Sequence, residues 1–332
     1  MNFRRYSKIL ILIISGLFIL SNDKVEAEWL FEVVDMGVYD LIQIHDRKTS
    51  LAIDSNNNPH ISYWDKTEDT LKYAYYDGSW QVGVVDTVTI DCSGLGGECP
   101  GQISLALDSN NNPHIIYYER FYDNGWHTKL KYAYYDGTWH IETVDDVSVW
   151  SYNSLALDSD NTPHISYNNN SSELKYAYYD GSWHKETVDL STWREATKSS
   201  LLLDSAENPH IVYNVQYEYH GELKYAYNDG SWTIEPFHNY YAWIDNIAST
   251  FDSNEELHIC YNEGDGGFGP NGPWSYSGQE YIHYDGVWYY EHLYGTTDGA
   301  YLEASIAQDN SDNIHIIYND YLFPSENTIY CI

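Results

Sequence analysis

From about residue 49 onward, short runs of alternating apolar and polar residues are separated by turns rich in Asn, Asp, Ser and Gly. One template recurs. Ser50-Leu-Ala-Ile-Asp54 is followed by a polar turn, then Pro59-His-Ile-Ser-Tyr63, then Leu71-Lys-Tyr-Ala-Tyr-Tyr-Asp77, then a Gly turn into a run led by Trp80. Alternation with period two reads as strands with two distinct faces, and Asn- and Gly-bearing turns between such runs read as hairpins. No segment sustains a helical period. Each template therefore predicts four antiparallel strands.

The template occurs six times, marked by His60, His114, His164, His210, His258 and His315 at intervals of 46 to 57 residues. A period of that length with four strands per unit predicts the blade of a β-propeller. The sixth copy ends within its third strand. Its missing fourth strand is expected from the other end of the chain, where Trp29-Leu-Phe-Glu-Val-Val-Asp35 matches Trp139-His-Ile-Glu-Thr-Val-Asp145. The expectation is an all-β, six-bladed β-propeller over residues 28–332, closed by the N-terminal strand 29–35 completing the last blade.

Residues 1–27 are set apart. Arg4, Arg5 and Lys8 precede the apolar run Ile9–Leu20, and Val25-Glu26-Ala27 offers a small-residue cleavage site, which together predict a signal peptide. An apolar run of that length falls short of a membrane span. The mature chain is expected to be secreted, extracellular or periplasmic. Its charge is strongly negative, −34 for the whole chain, which disfavours nucleic acid and anionic membrane surfaces as partners.

The blade pattern resembles that of NHL-type propellers, with an x-A-x-D strand, a turn opened by Asp and two further strands. It is also similar to secreted propellers of the fucose-lectin and sialidase-like (BNR-type) groups. The Asp-box of the sialidase-like group is met in shortened form by Asp77-Gly78-Ser79-Trp80. A sialidase site implies an arginine cluster, whereas the mature chain holds only Arg47, Arg120 and Arg194.

Residues shared by all blades are expected to hold the fold. The repeated His should bond an adjacent turn. Asp54, Asn56 and Asn58, and Asp108, Asn110 and Asn112, match the opening of a calcium loop, but no Gly or bidentate Glu follows at the required positions. These residues favour the same turn without an ion, so Ca2+ is an alternative and no other cofactor is implied.

Function is expected where the repeats differ, in the connections between blades and between strands two and three. Those segments supply the candidate ligand-binding residues His45, Arg47, Trp64, Arg120, Trp150, Trp193, Arg194, Glu195, Trp243, Asp245, Trp274 and Tyr301. Aromatic plates beside polar groups suit sugar rings, and they suit protein partners as well. The leading expectation is a non-catalytic module binding a glycan or surface polymer. The alternatives are an envelope adhesion protein gripping another protein, and a propeller-type glycoside hydrolase or lyase using carboxylates such as Glu195, Asp245, Asp298 and Glu303.

Four cysteines remain. Cys92 and Cys99 share one Gly-rich segment and are expected to form a local disulfide in an oxidising compartment. Cys260 and Cys331 stand where other repeats carry Ser or Ala, as small buried side chains. Mass mapping of unreduced secreted protein should recover Cys92 joined to Cys99, and a Cys260–Cys331 bridge would contradict this assignment.

Overall fold

The computed structural model describes residues 6–13, 30–38, 49–65, 68–87, 102–147, 152–170, 173–190, 196–217, 221–240, 243–264, 277–296, 304–309, 312–322 and 326–331. All regular elements among them are β-strands. A two-stranded pair, β1 (Tyr6–Ile13) with β2 (Leu30–Val38), precedes the repeats. The first sheet orders β3 (Thr49–Ile53), β4 (Pro59–Asp65), β5 (Thr70–Tyr76) and β6 (Trp80–Asp86). The second holds β7 (Ser104–Leu107), β8 (Pro113–Tyr122), β9 (Trp126–Tyr135) and β10 (Trp139–Val147).

The third sheet is β11 (Asn153–Leu157), β12 (Pro163–Asn170), β13 (Glu173–Tyr179) and β14 (Trp183–Leu190). The fourth is β15 (Ala196–Leu203), β16 (Pro209–Gln216), β17 (Gly221–Asn228) and β18 (Trp232–Tyr240). The fifth is β19 (Trp243–Phe251), β20 (Leu257–Gly264), β21 (Ser277–Tyr284) and β22 (Trp288–Thr296). A last sheet has three described strands, β23 (Ala304–Gln308), β24 (Ile314–Leu322) and β25 (Glu326–Cys331). The chain divides into two compact units, residues 1–143 and 144–332.

The turn between the first two strands of each sheet is built the same way. Asp54 Oδ1 accepts the backbone N–H groups of Asn56 at 2.8 Å and Asn58 at 2.6 Å, and Asn58 Nδ2 donates to Oδ2 at 3.0 Å. Asp108, Asp158 and Asp204 repeat the backbone pair. The fourth turn residue sits in the left-handed region, as at Asn57 with φ 66° and Asn111 with φ 65°. Such a turn satisfies the Asp oxygens with protein donors, the Asx role expected of these residues.

The repeated His closes this turn onto its own blade. His60 Nδ1 meets the Tyr73 hydroxyl of the third strand, and Nε2 faces Asp54 Oδ2 at 3.6 Å. His164 and Asp158, His210 and Asp204, and His315 and Asp309 approach at 3.3, 3.3 and 3.0 Å. The bond to the turn expected of these histidines is therefore made by His164, His210 and His315, whose Nε2 reaches the turn carboxylate of its own blade.

Neighbouring sheets are joined by a second repeated device. The fourth strand carries a bulge: Leu71 pairs with Asp86 and Lys72 with Val84, leaving Val85 as the extra residue. Val188 is the extra residue of the third sheet, Phe237 of the fourth and Leu293 of the fifth. A bulge turns that side chain out of the ladder's alternation. Val85 thereby packs on Ile115, Tyr117, Ala133 and Trp139 of the second sheet, and Val188 of the third sheet packs on Ile211, Tyr213, Ala226 and Trp232 of the fourth. The Asp that follows then accepts the hydroxyl of the buried Tyr: Tyr117 donates to Asp86, Tyr167 to Asp145 and Tyr213 to Asp189. Burial first, and then the carboxylate, push the Tyr117 and Tyr213 phenols far above the usual range. Between first strands, Ser50 Oγ accepts the Leu105 N–H and Ser154 Oγ the Leu201 N–H, each at 3.0 Å.

The N-terminal strand departs from the expected closure. β2 pairs with β1, from Tyr6↔Val38 to Ile13↔Leu30, and not with β25. Tyr6–Ile13 is thus a strand in the full chain. Loop-closure entropy accounts for the choice, because sixteen residues separate β1 from β2 while nearly the whole chain separates β2 from β25. Yet β2 keeps the bulge of a fourth strand: between Lys8↔Met36 and Leu10↔Val33 it carries one extra residue. Val34 lies there, 8% exposed, and packs on Ile61, Tyr63, Ala74 and Trp80, the counterparts of the residues that receive Val85.

Cys260 is fully buried, which pushes its thiol up to about 12, as expected of an inert core cysteine. Cys331 lies in β25, and Cys92 and Cys99 fall outside the described residues. No helix among the described residues is long and apolar enough to cross a membrane.

The His–Asp turns fix an acid response. Burial lowers His60, His114, His164 and His258, outweighing the nearby carboxylates. Burial alone would raise Asp54, but the N–H groups of Asn58 and Asn56 outweigh it and hold it at about 2. The unfolded chain takes up protons at His below about pH 6.5, and at Asp below about pH 4, before the folded chain does. Stability should fall in both windows on acidification. Calorimetry should show the melting temperature declining from pH 7 to 5 and again below 4; a flat profile from pH 7 to 5 would contradict neutral buried histidines.

Candidate functional site

In an antiparallel four-stranded sheet, the start of strand one, the end of two, the start of three and the end of four share one edge. Among the described residues, two departures from the repeat lie along this edge. The two compact units each contribute a distinct feature.

In the first unit the edge is extended by the hairpin β8–β9. Both strands run ten residues, paired from His114↔Tyr134 to Tyr122↔Trp126. The hairpin turns at Asp123-Asn124-Gly125, with Asn124 in the left-handed region at φ 51°. The expectation of a loop here is corrected: Arg120 and its neighbours are strand residues, because Phe121, Tyr122, Trp126 and His127 pair across the ladder and support one another. Tyr122 and Trp126 meet edge to face at 5.4 Å, and Phe121 stacks on His127 at 5.3 Å. The Arg120 guanidinium lies 4.0 Å from the Trp126 ring centre and is 4% exposed, opposite buried Thr128. A buried cation under the ring fixes the Trp126 plane. Tyr122 is 65% and Trp126 42% exposed, so the hairpin holds two oriented aromatic faces in solvent.

In the second unit the same edge carries a layer of buried amides. Asn168, Asn214 and Asn262 occupy one position, following the second-strand Tyr of three successive sheets, and all are buried. Lys198 N–H donates to Asn214 Oδ1 at 3.0 Å, Asn214 Nδ2 donates to Tyr240 Oη at 3.1 Å, and Tyr240 donates to Gln216 Oε1 at 3.1 Å. Gly221 pairs with Tyr240, and a Cβ there would fall 2.0 Å from the Tyr240 ring, so only glycine lets the phenol cross to Asn214. In the fifth sheet Asn262 faces Gln279, whose Nε2 donates to the Tyr261 carbonyl at 2.9 Å. Asn168 Nδ2, Asn262 Oδ1 and Gln279 Oε1 are buried and make no hydrogen bond. Lys198 Nζ also lies 4.0 Å over the Tyr152 ring.

Trp64 is the penultimate residue of β4, half-buried against the core that includes Leu71 and Tyr73. Trp243 and Asp245 lie in β19, where Ile244↔Glu263 and Asn246↔Asn262 leave Asp245 at a bulge; they are strand residues where connections were expected. His45, Arg47, Trp150, Trp193, Arg194, Glu195, Trp274 and Tyr301 lie outside the described residues, as do Asp298 and Glu303. The amide layer was missed. Its signal was the Asn after His-Ile-Ser-Tyr, His-Ile-Val-Tyr and His-Ile-Cys-Tyr in the third to fifth repeats.

No protein-family model matches the chain, and no curated protein matches it in sequence. Solved structures do match it. An ulvan lyase of polysaccharide lyase family PL25 superposes with a TM-score of 0.58 at 12% identity, over 84% of this chain and 78% of the lyase. The SapL1 lectin, solved with alpha methyl fucoside, gives 0.53 at 14%, over 86% and 95%. A Dyadobacter fermentans protein of unknown function gives 0.57 at 9%, over 86% and 93%. At such identities the likeness is one of fold: an all-β propeller with four strands per blade.

Proposed function

We propose that this protein is a secreted, six-bladed propeller that binds a glycan or another hydroxyl-rich surface polymer without altering it. The observation that carries the reading is the β8–β9 hairpin, which presents Tyr122 and Trp126 to solvent over a buried Arg120. Sugar C–H faces stack on such plates, and rings held by their neighbours lose little freedom on binding. The buried amides of the second unit support a polar ligand. An unpaired buried amide atom costs roughly 1–3 kcal/mol, which a ligand hydroxyl bonded to it offsets. That lectins and a polysaccharide lyase share the fold agrees with this reading.

Glycan-array screening of the mature protein, followed by calorimetry with the best ligand, tests it. Trp126→Ala and Tyr122→Ala should each weaken binding by about 2 kcal/mol, roughly thirtyfold. Tyr289→Ala, an exposed aromatic on β22, serves as the control and should leave binding intact. Equal affinity across all three variants would overturn the assignment.

Six blades require β2 to join β25 once the leader is removed. The support is the shared bulge and the packing of Val34, which give β2 a fourth-strand role against the first sheet. The leader strand β1 takes the ladder position of a third strand, since it faces the same one-residue bulge that β5 faces in β6. Removing the leader frees that edge for Glu326–Cys331. Hydrogen exchange should show alternate amides of 326–331 protected in protein starting at Glu28 and exchanging in protein that retains residues 1–27. Deleting 28–36 should remove this protection and lower the melting temperature by several degrees, about 2–4 °C per kcal/mol for a chain of this size or somewhat smaller. Unprotected amides in the leader-free protein would refute six-bladed closure.

A further inference from the structure

The fifth repeat breaks the turn rule at one position, on the sheet edge opposite the amide layer. In four repeats the residue two before the repeated His is Asn, and its amide caps the turn carboxylate. Asn58, Asn112, Asn208 and Asn313 donate to Asp54, Asp108, Asp204 and Asp309 at 2.9 to 3.0 Å. The third repeat has Thr162 there. The fifth has Glu256, which keeps the backbone bond to Asp252 Oδ1 at 2.8 Å but replaces the amide donor with a second carboxylate.

The consequence falls on His258. It is 8% exposed, and its Nε2 is buried without a hydrogen bond, 3.9 Å from Asp252 Oδ2. Its Nδ1 is held by the Tyr281 hydroxyl at 2.6 Å. One donor atom each from Asp252, Glu256 and His258 lies within 4.8 Å of the others, the one such group of three among the described residues. Burial lowers the His258 pKa, so the ring is neutral at pH 7 with a lone pair to offer.

We propose that Asp252, Glu256 and His258 bind a divalent transition cation of the Zn2+ class. Two carboxylate oxygens and one imidazole nitrogen, completed by water, are a donor set such ions accept, with bonds of about 2.0–2.2 Å. Inward movement of roughly an ångström brings the three atoms onto one ion at those lengths. Binding through Nε2 requires the proton on Nδ1, from which N–H donates to the Tyr281 oxygen; this is the outer partner that fixes the tautomer of a ligating His. The ion removes the two faults of the fifth turn together, the facing carboxylates and the unbonded Nε2. Its place on the opposite edge makes it independent of the glycan site, as a local clamp on the fifth blade.

The test uses the mature chain stripped with chelator and titrated with Co2+ by absorbance and Zn2+ by calorimetry. One equivalent of each should bind, with a Co2+ ligand-field band, and Zn2+ should raise the melting temperature. Glu256→Asn restores the residue that four repeats use in the same turn and so should fold. It should weaken binding by at least the roughly 10–100-fold that loss of even an outer partner costs, and Tyr281→Phe should fall in that range itself. Uptake of Co2+ by Glu256→Asn equal to that of the unaltered chain would overturn the site, as would no stoichiometric uptake by the unaltered chain or binding of Ca2+ in preference to Zn2+.

Discussion

The contact on which this fold depends is the insertion of one bulged residue from the fourth strand of each blade into the face of the next. A strand alternates its side chains between two faces, so a regular fourth strand would offer its neighbour only every second residue. The bulge adds one more. Val85 and Val188 are buried by it, and the following Asp is left aimed at a phenol of the adjoining sheet. Burying one such Val contributes roughly 1.5–3 kcal/mol, and a hydrogen bond to a charged acceptor a comparable amount. Neither is available to a blade on its own, which is why stacked units of this kind gain stability from their interfaces.

That dependence explains the economy of the repeated residues. Asp of the turn, His at the head of strand two, Tyr in strand three and Asp ending strand four are all engaged with one another or with the next sheet. A residue so engaged is a poor ligand-binding group, since turning it outward would break a contact holding the blade. The departures from the repeat carry no such duty. The lengthened β8–β9 hairpin, the Asn layer of the third to fifth sheets, and Glu256 each replace a structural residue with one whose polar or aromatic surface is left over.

The same contact gives the N-terminal strand its meaning. Val34 fills the place before the first blade that Val85 fills before the second, whichever strand lies along its other edge. Packing and pairing are thus separate choices for β2. Packing is dictated by its side chains, while pairing goes to the strand that closes the shorter loop.

The sequence alone determined what period and local chemistry can specify. The four strands of each repeat, the Asx turns at Asp54 and its counterparts, the Gly turns such as Gly78 at φ 100°, and the burial of Cys260 all follow from residues near one another in the chain. Tertiary structure decided whatever depends on pairs distant in sequence. It made Arg120 a buried support for Trp126, left Trp64 half-buried, and set Asn168, Asn214 and Asn262 on one level. It also joined β2 to β1. An alternating pattern fixes which residues share a face, but which face is covered, and by what, depends on the sheet that arrives beside it.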